Sequence, residues 1–265
     1  MFFDSSLSGP SCPLWFLVFC DFGKMLLLGI DTTGKSGGVT LAQGDERSFR
    51  VLESAPIAGG TFSAQLVPTV AGLLRKHGFA AKSLDGFAVA SGPGSFTGLR
   101  VGLSAAKGLA EALQKPIATV SLLHALASFS QTPGRVAAVM DASRNEVFVG
   151  LYDVDVNGTT IHFILESLDT QAEMLELLQS DPTPTIITCD ESVARVVSAM
   201  RPGGEVKTEV TLVPRPDSAV IARLGLRKLL AGETVTAEAL DANYLRRSDA
   251  EIVHQKSVHQ NKGGK

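Results

Sequence analysis

Ser91-Gly-Pro-Gly-Ser-Phe-Thr-Gly-Leu-Arg100 joins an apolar strand, Asp85-Gly-Phe-Ala-Val-Ala90, to a helix expected from about Gly98 to Gln114. Gly98, Gly102 and Gly108 each give up about 1 kcal/mol of helix propensity against alanine. Gly98, Gly102, Ala106 and Ala110 recur every fourth residue and form one nearly bare ridge. Another backbone can approach such a ridge at the short end of the usual spacing of about 8–10 Å. Two surfaces fit it: the chain's own sheet, or a second subunit.

Around this segment the pattern is regular. Met25-Leu-Leu-Leu-Gly-Ile-Asp31, Gly38-Val-Thr-Leu-Ala42 and Arg47-Ser-Phe-Arg-Val-Leu52 are separated by short glycine-containing turns, which predicts an antiparallel meander. A helix over Phe62–His77 ends at Lys76-His77-Gly78. The strand at Asp85 and the bare helix lead to a strand over Pro116–Val120 and a helix from Ser121 to about Gln131. After Thr132-Pro-Gly134 the order restarts. Arg135–Asp141 ends in Asp as the first strand does, Glu146–Tyr152 and Thr160–Leu165 complete a second meander, and Thr170–Gln179 is a helix. A strand over Thr185–Cys189 and helices over Glu191–Met200 and Asp217–Leu230 follow. Two copies of one unit predict a duplicated α/β fold with two mixed sheets. Its halves are expected over 25–132 and 133–233, with a returning segment over 234–250, a loose extension over 1–24 and a disordered tail over 251–265.

The 265 residues suffice for one large or two modest cores. Only 19% of them are charged against the usual quarter or so, which leaves uncharged surface for a partner. A net charge of −3 argues against binding nucleic acid alone, because phosphate neutralisation needs a basic surface. Cys12, Cys20 and Cys189 form neither a disulfide framework nor a metal-spaced pair, as suits a reducing compartment. The apolar run Leu14–Phe19 is far short of the roughly 20 residues that cross a bilayer, and it lacks the flanks of a secretory signal. A cytoplasmic protein without a membrane anchor is expected. His77, His124, His162, His254 and His259 show no i, i+4 pairing, and no nucleophile motif is present, so neither a metal nor a catalytic residue is expected.

Gly29-Ile-Asp-Thr-Thr-Gly-Lys-Ser36 matches a P-loop letter for letter. A P-loop must run into a helix whose N-terminal amides hold phosphate, whereas Ser36 is followed by the strand-like Gly-Gly-Val-Thr-Leu. An Asp ending a first strand, followed by Thr and Gly in a hairpin, resembles instead the phosphate loop of the actin-like ATPase and sugar-kinase superfamily. Those enzymes usually carry Gly where this chain has Thr33. Two readings stay open. Asp31, Thr32 and Thr33 with Gly94, Ser95 and Thr97 are a vestigial nucleotide or anion site, or Asp31 and Thr32 simply close a turn with side-chain hydrogen bonds.

The first strand with its Gly29-Ile-Asp-Thr-Thr end, the Ser91–Leu103 segment, Val139-Met-Asp-Ala-Ser-Arg-Asn-Glu-Val-Phe148 and Tyr244-Leu-Arg246 together resemble the TsaB (YeaZ) family over about Met25 to Arg247. The resemblance implies a duplicated ribonuclease-H-like fold of the actin-like superfamily. It also implies a non-catalytic subunit, without cofactor, of the bacterial machinery that makes threonylcarbamoyladenosine beside the anticodon of tRNAs reading codons that start with A. The implied partners are the catalytic paralogue TsaD and the ATPase TsaE, with a homodimer when the partner is absent and tRNA met only through the complex. The implied interface joins the helix carrying Gly98, Leu99, Arg100, Gly102, Leu103 and Ala106 to the one carrying Phe62 and Leu66. The chain departs from the family at Phe62, where many relatives carry His. The rival reading is an ATP-dependent small-molecule kinase on the same fold. It needs an adenosine-binding Gly-Gly, and Gly203-Gly204 follows Arg201-Pro202 in a turn-like context. A peptidase is the weakest reading, for want of metal ligands and a nucleophile. Arg100 places positive charge in its helix's first turn, which asks for an anion nearby, a carboxylate before a phosphate.

Overall fold

The computed structural model describes residues 23–155, 161–180, 185–199, 209–243 and 245. The expected extension up to residue 22, Gly203–Gly204, Tyr244, Arg246 and the tail over 251–265 lie outside the described residues.

The first sheet contains β1 (Met25–Asp31), β2 (Ser36–Gly44), β3 (Phe49–Ala58), β4 (Gly86–Gly92) and β5 (Ile117–Ser121) in the order β3-β2-β1-β4-β5. The first three strands are antiparallel neighbours, and β4 and β5 run parallel to β1. The second sheet contains β6 (Gly134–Asp141), β7 (Glu146–Val154), β8 (Ile161–Thr170), β9 (Thr185–Thr188) and β10 (Val210–Leu212) in the order β10-β9-β6-β7-β8. That is the same connectivity with the same strand directions, so the chain is a duplicated ribonuclease-H-like α/β fold of the actin-like type. The repeat of an Asp-ended first strand was the visible sign of it. Strand β10 escaped the sequence reading because three residues are too few to show a period.

Central strands β1 and β4 are buried on both faces, as their unbroken apolar runs require. One face of the first sheet is covered by α1 (Phe62–Lys76) and α2 (Phe96–Leu113), which bury Leu66, Val70, Leu103 and Ala106 against Leu28, Ile30 and Phe87. The opposite face receives α6 (Ser218–Leu230), while α3 (Leu122–Ala127) sits between the two sheets. Helices α4 (Gln171–Ser180) and α5 (Glu191–Ala199) cover the second sheet.

Helix α6 corrects the expected boundary at residue 233, because it packs on β1, β2, β4 and β5 of the first half. Two glycines explain the placement. A Cβ at Gly29 of β1 would lie 2.3 Å from the Ser218 carbonyl oxygen, and one at Gly225 of α6 would lie 2.1 Å from Ala88 Cβ. Helix and sheet therefore meet backbone to backbone, and the Thr40 and Ser218 hydroxyls hydrogen-bond at 2.8 Å across the contact. Chain order alone does not reveal onto which of two similar sheets a helix returns.

The small-residue ridge of α2 faces inward. A Cβ at Gly98 would lie 2.0 Å from the Thr32 carbonyl oxygen and one at Gly102 2.3 Å from Thr32 Oγ1, which donates to the Gly98 carbonyl at 2.7 Å. Ala106 and Ala110 continue the ridge into the core. Gly98, Gly102 and Ala106, expected at a subunit interface, thus lie inside the chain, because only bare positions let the β1–β2 hairpin lie against the helix. Helix α2 also begins two residues earlier than expected, since Ser95 caps it by accepting from the Gly98 amide at 3.3 Å.

Candidate functional site

The two Asp-ended strands place their following turns on either side of a cleft of about 1260 Å³ between the halves. One wall is the β1–β2 turn with the start of α2, and the other is the β6–β7 turn around Asp141 and Arg144. Ser143, Arg144 and Asn145 all take left-handed backbone angles, with φ of 62°, 58° and 62°, a conformation that costs residues with a Cβ. The turn is held by the Ser143 amide donating to Asp141 Oδ1 at 2.9 Å and the Glu146 amide donating to the Ser143 carbonyl at 3.0 Å.

Of the six residues read as a vestigial anion site, Thr33, Gly94, Ser95 and Thr97 line the cleft. Asp31, Thr32 and Thr33 are all buried. Asp31 Oδ1 accepts from the Thr33 amide at 2.9 Å and the Thr33 hydroxyl at 2.6 Å, so the threonine that replaces glycine covers the carboxylate with its own side chain. Thr32 points the other way, into the glycine ridge. The Ser95 amide donates to the Thr33 carbonyl at 2.8 Å, so the hairpin and the helix start bond directly to each other. A Cβ at Gly94 would lie 2.5 Å from that carbonyl, which makes glycine necessary there. Thr97 lines the cleft and is exposed. The turn closed by side-chain hydrogen bonds is thus realised, through Asp31 and Thr33, with Thr32 as a packing residue.

Burial pushes the Asp31 carboxyl above its ordinary range, opposed by the Thr33 hydrogen bonds and the nearby Arg215 charge. A raised folded value means that the neutral acid contributes stability below the ordinary carboxyl range, and that this is lost as pH rises through the folded value. Asp31→Asn keeps the acceptor and removes the buried charge. Its melting temperature at pH 7 is expected to equal or exceed that of the wild type, with the difference vanishing in acid. Asp31→Ala strands both Thr33 donors and should lose about 1–3 kcal/mol. A strongly destabilised Asp31→Asn at pH 7 would show that the charge itself is needed.

Sequence reasoning missed two residues, Arg215 and Glu166. Arg215 reaches from the β10–α6 link to donate from Nη2 to Thr33 Oγ1 at 3.0 Å. Glu166 of β8 accepts from the hydroxyls of Ser121 and Tyr152 and from Asn243 Nδ2, tying both halves and the returning segment to one carboxylate. These partners are far apart in the chain, and the one local signal was Arg215 held between Pro214 and Pro216.

Beside the cleft, α1 and α2 run together and their outer faces form a groove of about 530 Å³. Leu66 is its floor at 1% exposure, Val67 stands out at 51%, and Arg100 is exposed with its guanidinium carbon 3.9 Å from the centre of the Phe96 ring. The Phe96 ring face thus lies under the charge for which an anion was expected. Phe62 lies at the junction of groove and cleft, whereas Leu99 and Leu103 are buried in the interior. Among the described residues, no group of three or more His, Cys, Asp or Glu is placed to hold a metal ion, and no helix is long and apolar enough to cross a membrane.

Fold and site define a duplicated actin-like α/β protein whose first hairpin covers its own acidic residue. A family model described as "TsaD: tRNA N6-adenosine threonylcarbamoyltransferase" matches residues 56–209. The Bacillus subtilis (strain 168) "tRNA threonylcarbamoyladenosine biosynthesis protein TsaB" is 31% identical over 231 residues, covering 86% of this chain and 96% of that protein. The Escherichia coli (strain K12) protein of the same name is 32% identical over 137 residues, 51% of this chain and 58% of that one. The solved structure "YeaZ from Pseudomonas aeruginosa" is 25% identical with a TM-score of 0.62, covering 83% of this chain and all of that one. The chain belongs to the TsaB (YeaZ) family, within the wider group described by the TsaD model.

Proposed function

We propose that this protein serves tRNA threonylcarbamoyladenosine biosynthesis in the cytoplasm as a non-catalytic subunit, docking a TsaD-like catalytic paralogue on the α1/α2 groove. The observation that carries the docking face is an apolar groove with a buried floor at Leu66 and an exposed apolar rim at Val67. The names of the relatives support the pathway, and the Thr33 side chain over Asp31 supports the non-catalytic part. The same face serves a homodimer when the paralogue is absent. A TsaE-like ATPase joins the assembly, and tRNA is met only through the complex.

Val67→Glu tests the docking face, because it places a charge on the rim at a position whose side chain is already half in solvent. The dissociation constant for the TsaD-like partner is expected to rise about ten- to a hundredfold, as a charge forced into an apolar contact requires. The melting temperature should stay within a degree or two, as for other surface changes. Unchanged affinity would remove this face from the interface. For the non-catalytic part, phosphate release from ATP by the isolated protein is expected to stay at background, and turnover abolished by Asp31→Ala would favour the kinase reading.

A further inference from the structure

On the face of the first sheet opposite α1 and α2, helix α6 carries Arg223, Arg227 and Lys228 and no acidic residue. Arg227 and Lys228 lie in its last turn, where cations suit the carboxyl end of a helix. Arg223 has no such reason. It stands mid-helix and half-buried, and its guanidinium makes no hydrogen bond or ion pair among the described residues. Burial, with the Arg227 charge one turn away, holds its pKa below the ordinary range, and no carboxylate opposes them. An anion from outside the chain would relieve both costs. The same seam exposes an aromatic ring. The charges of Arg227 and Lys228 act on His124 of α3, His124 stacks on Tyr152 with centroids 5.8 Å apart, and Tyr152 and Phe163 meet edge to face at 6.3 Å. Phe163 lies on β8, an edge strand of the second sheet, and at 67% is the most exposed large apolar side chain among the described residues. Asp153, opposite the neighbouring His162 in the ladder, is held by Arg135 at 2.6 Å, so its charge is already matched.

We propose that this face binds an unpaired stretch of RNA, with a base stacked on Phe163 and the neighbouring phosphates on Lys228, Arg227 and Arg223. An open aromatic ring beside a row of cations is the combination that holds unpaired nucleotides, since every base has a face to stack and a phosphate to neutralise. Two of the three cations are arginines, whose planar forks match phosphate. An acidic protein surface would use the cations and leave the ring idle. The RNA itself is the tRNA of the function proposed above, on which this reading rests, and its loops offer unpaired bases. Three phosphate contacts on a chain of net charge −3 are few for holding tRNA unaided, which fits contact made only within the complex. A paralogue docked on α1 and α2 leaves α6 open, because the helix covers the other face of the sheet.

Fluorescence anisotropy of a labelled tRNA that reads codons starting with A, titrated at several salt concentrations with the complex of the full chain and a TsaD-like paralogue, tests the face. Phe163→Leu keeps the apolar bulk and loses the aromatic face, and is expected to weaken tRNA binding about five- to a hundredfold, with Phe163→Tyr near the wild type. Arg223→Gln and Lys228→Gln should each weaken binding several-fold at low salt and make the slope of log affinity against log salt shallower by roughly 0.7–1. These two slopes keep the test valid should Phe163→Leu fold poorly. Paralogue affinity should be unchanged in all four variants. A wild-type complex that binds tRNA, with Phe163→Leu, Arg223→Gln and Lys228→Gln equal to it in affinity and slope, would overturn the face, whatever those variants do to self-association or to the hold on a TsaE-like ATPase. Weakening by Arg223→Gln and Lys228→Gln with Phe163→Leu unaffected would overturn the base stacking. A wild-type complex that forms and binds no tRNA would overturn the proposed function and this face with it, a result distinct from failure of the face alone.

Discussion

Gly102→Leu is expected to remove about 3 kcal/mol or more of folding stability, read as a fall of roughly 6–12 °C in melting temperature for a chain of this size. The reason is local. The first side-chain atom added at Gly102 falls 2.3 Å from Thr32 Oγ1, the hydroxyl that bonds the Gly98 carbonyl, and next to it the Thr32 backbone leaves no room at Gly98 either. The substitution has to push the β1–β2 hairpin off α2, and with it the Thr33 contact to the Ser95 amide. Gly108 on the same helix has open space around it, so Gly108→Ala should instead raise stability by about 0.5–1 kcal/mol through helix propensity and a less flexible unfolded chain. Thermal melts of the two variants decide the matter. A Gly102→Leu protein that melts like the wild type and only binds its partner less well would return the ridge to a subunit interface.

A comparable loss is expected on acidification, through His124. Its ring lies in α3 between the two sheets, stacked on Tyr152 with centroids 5.8 Å apart. Burial, reinforced by the charges of Lys228 and Arg227, holds its pKa down at about 4, against an ordinary value of 6.5. The neutral ring therefore stabilises the fold fully above pH 6.5. As pH falls the unfolded chain takes up the proton first, and the contribution is lost progressively until pH passes below about 4. At about 1.36 kcal/mol per pKa unit the total is on the order of 3 kcal/mol. Denaturant unfolding of wild type and His124→Leu between pH 7 and pH 4 isolates it, because the carboxylates titrate alike in both proteins. The wild-type curve should fall more steeply, and parallel curves would show that the ring is accessible to protons in the folded state.

Much of the architecture was legible in the chain. The strand and helix periods, the restart after Gly134 and the Asp at the end of β1 and β6 specified the duplicated fold, because alternation and helical spacing are local properties. The P-loop match was dismissed on equally local grounds, since a strand follows Ser36 and β1 and β2 indeed form a hairpin. The candidate site was legible in part. Asp31, Thr33, Gly94 and Ser95 were singled out as a group and do meet, but the role of each depended on which atoms faced which.

By itself the sequence determined that α2 would bring a bare ridge against something, since no other reason accounts for glycine and alanine at every fourth position of a helix. What lies against the ridge was decided only in three dimensions, where Thr32 fills the space that Gly98 and Gly102 leave. The same holds for α6 on the first sheet, for Arg215 over Thr33 and for Glu166 joining Ser121, Tyr152 and Asn243. Each of these contacts joins residues distant in the chain. Periodicity reports which face of an element is apolar, whereas the partner of that face is chosen by the packing of all the elements at once.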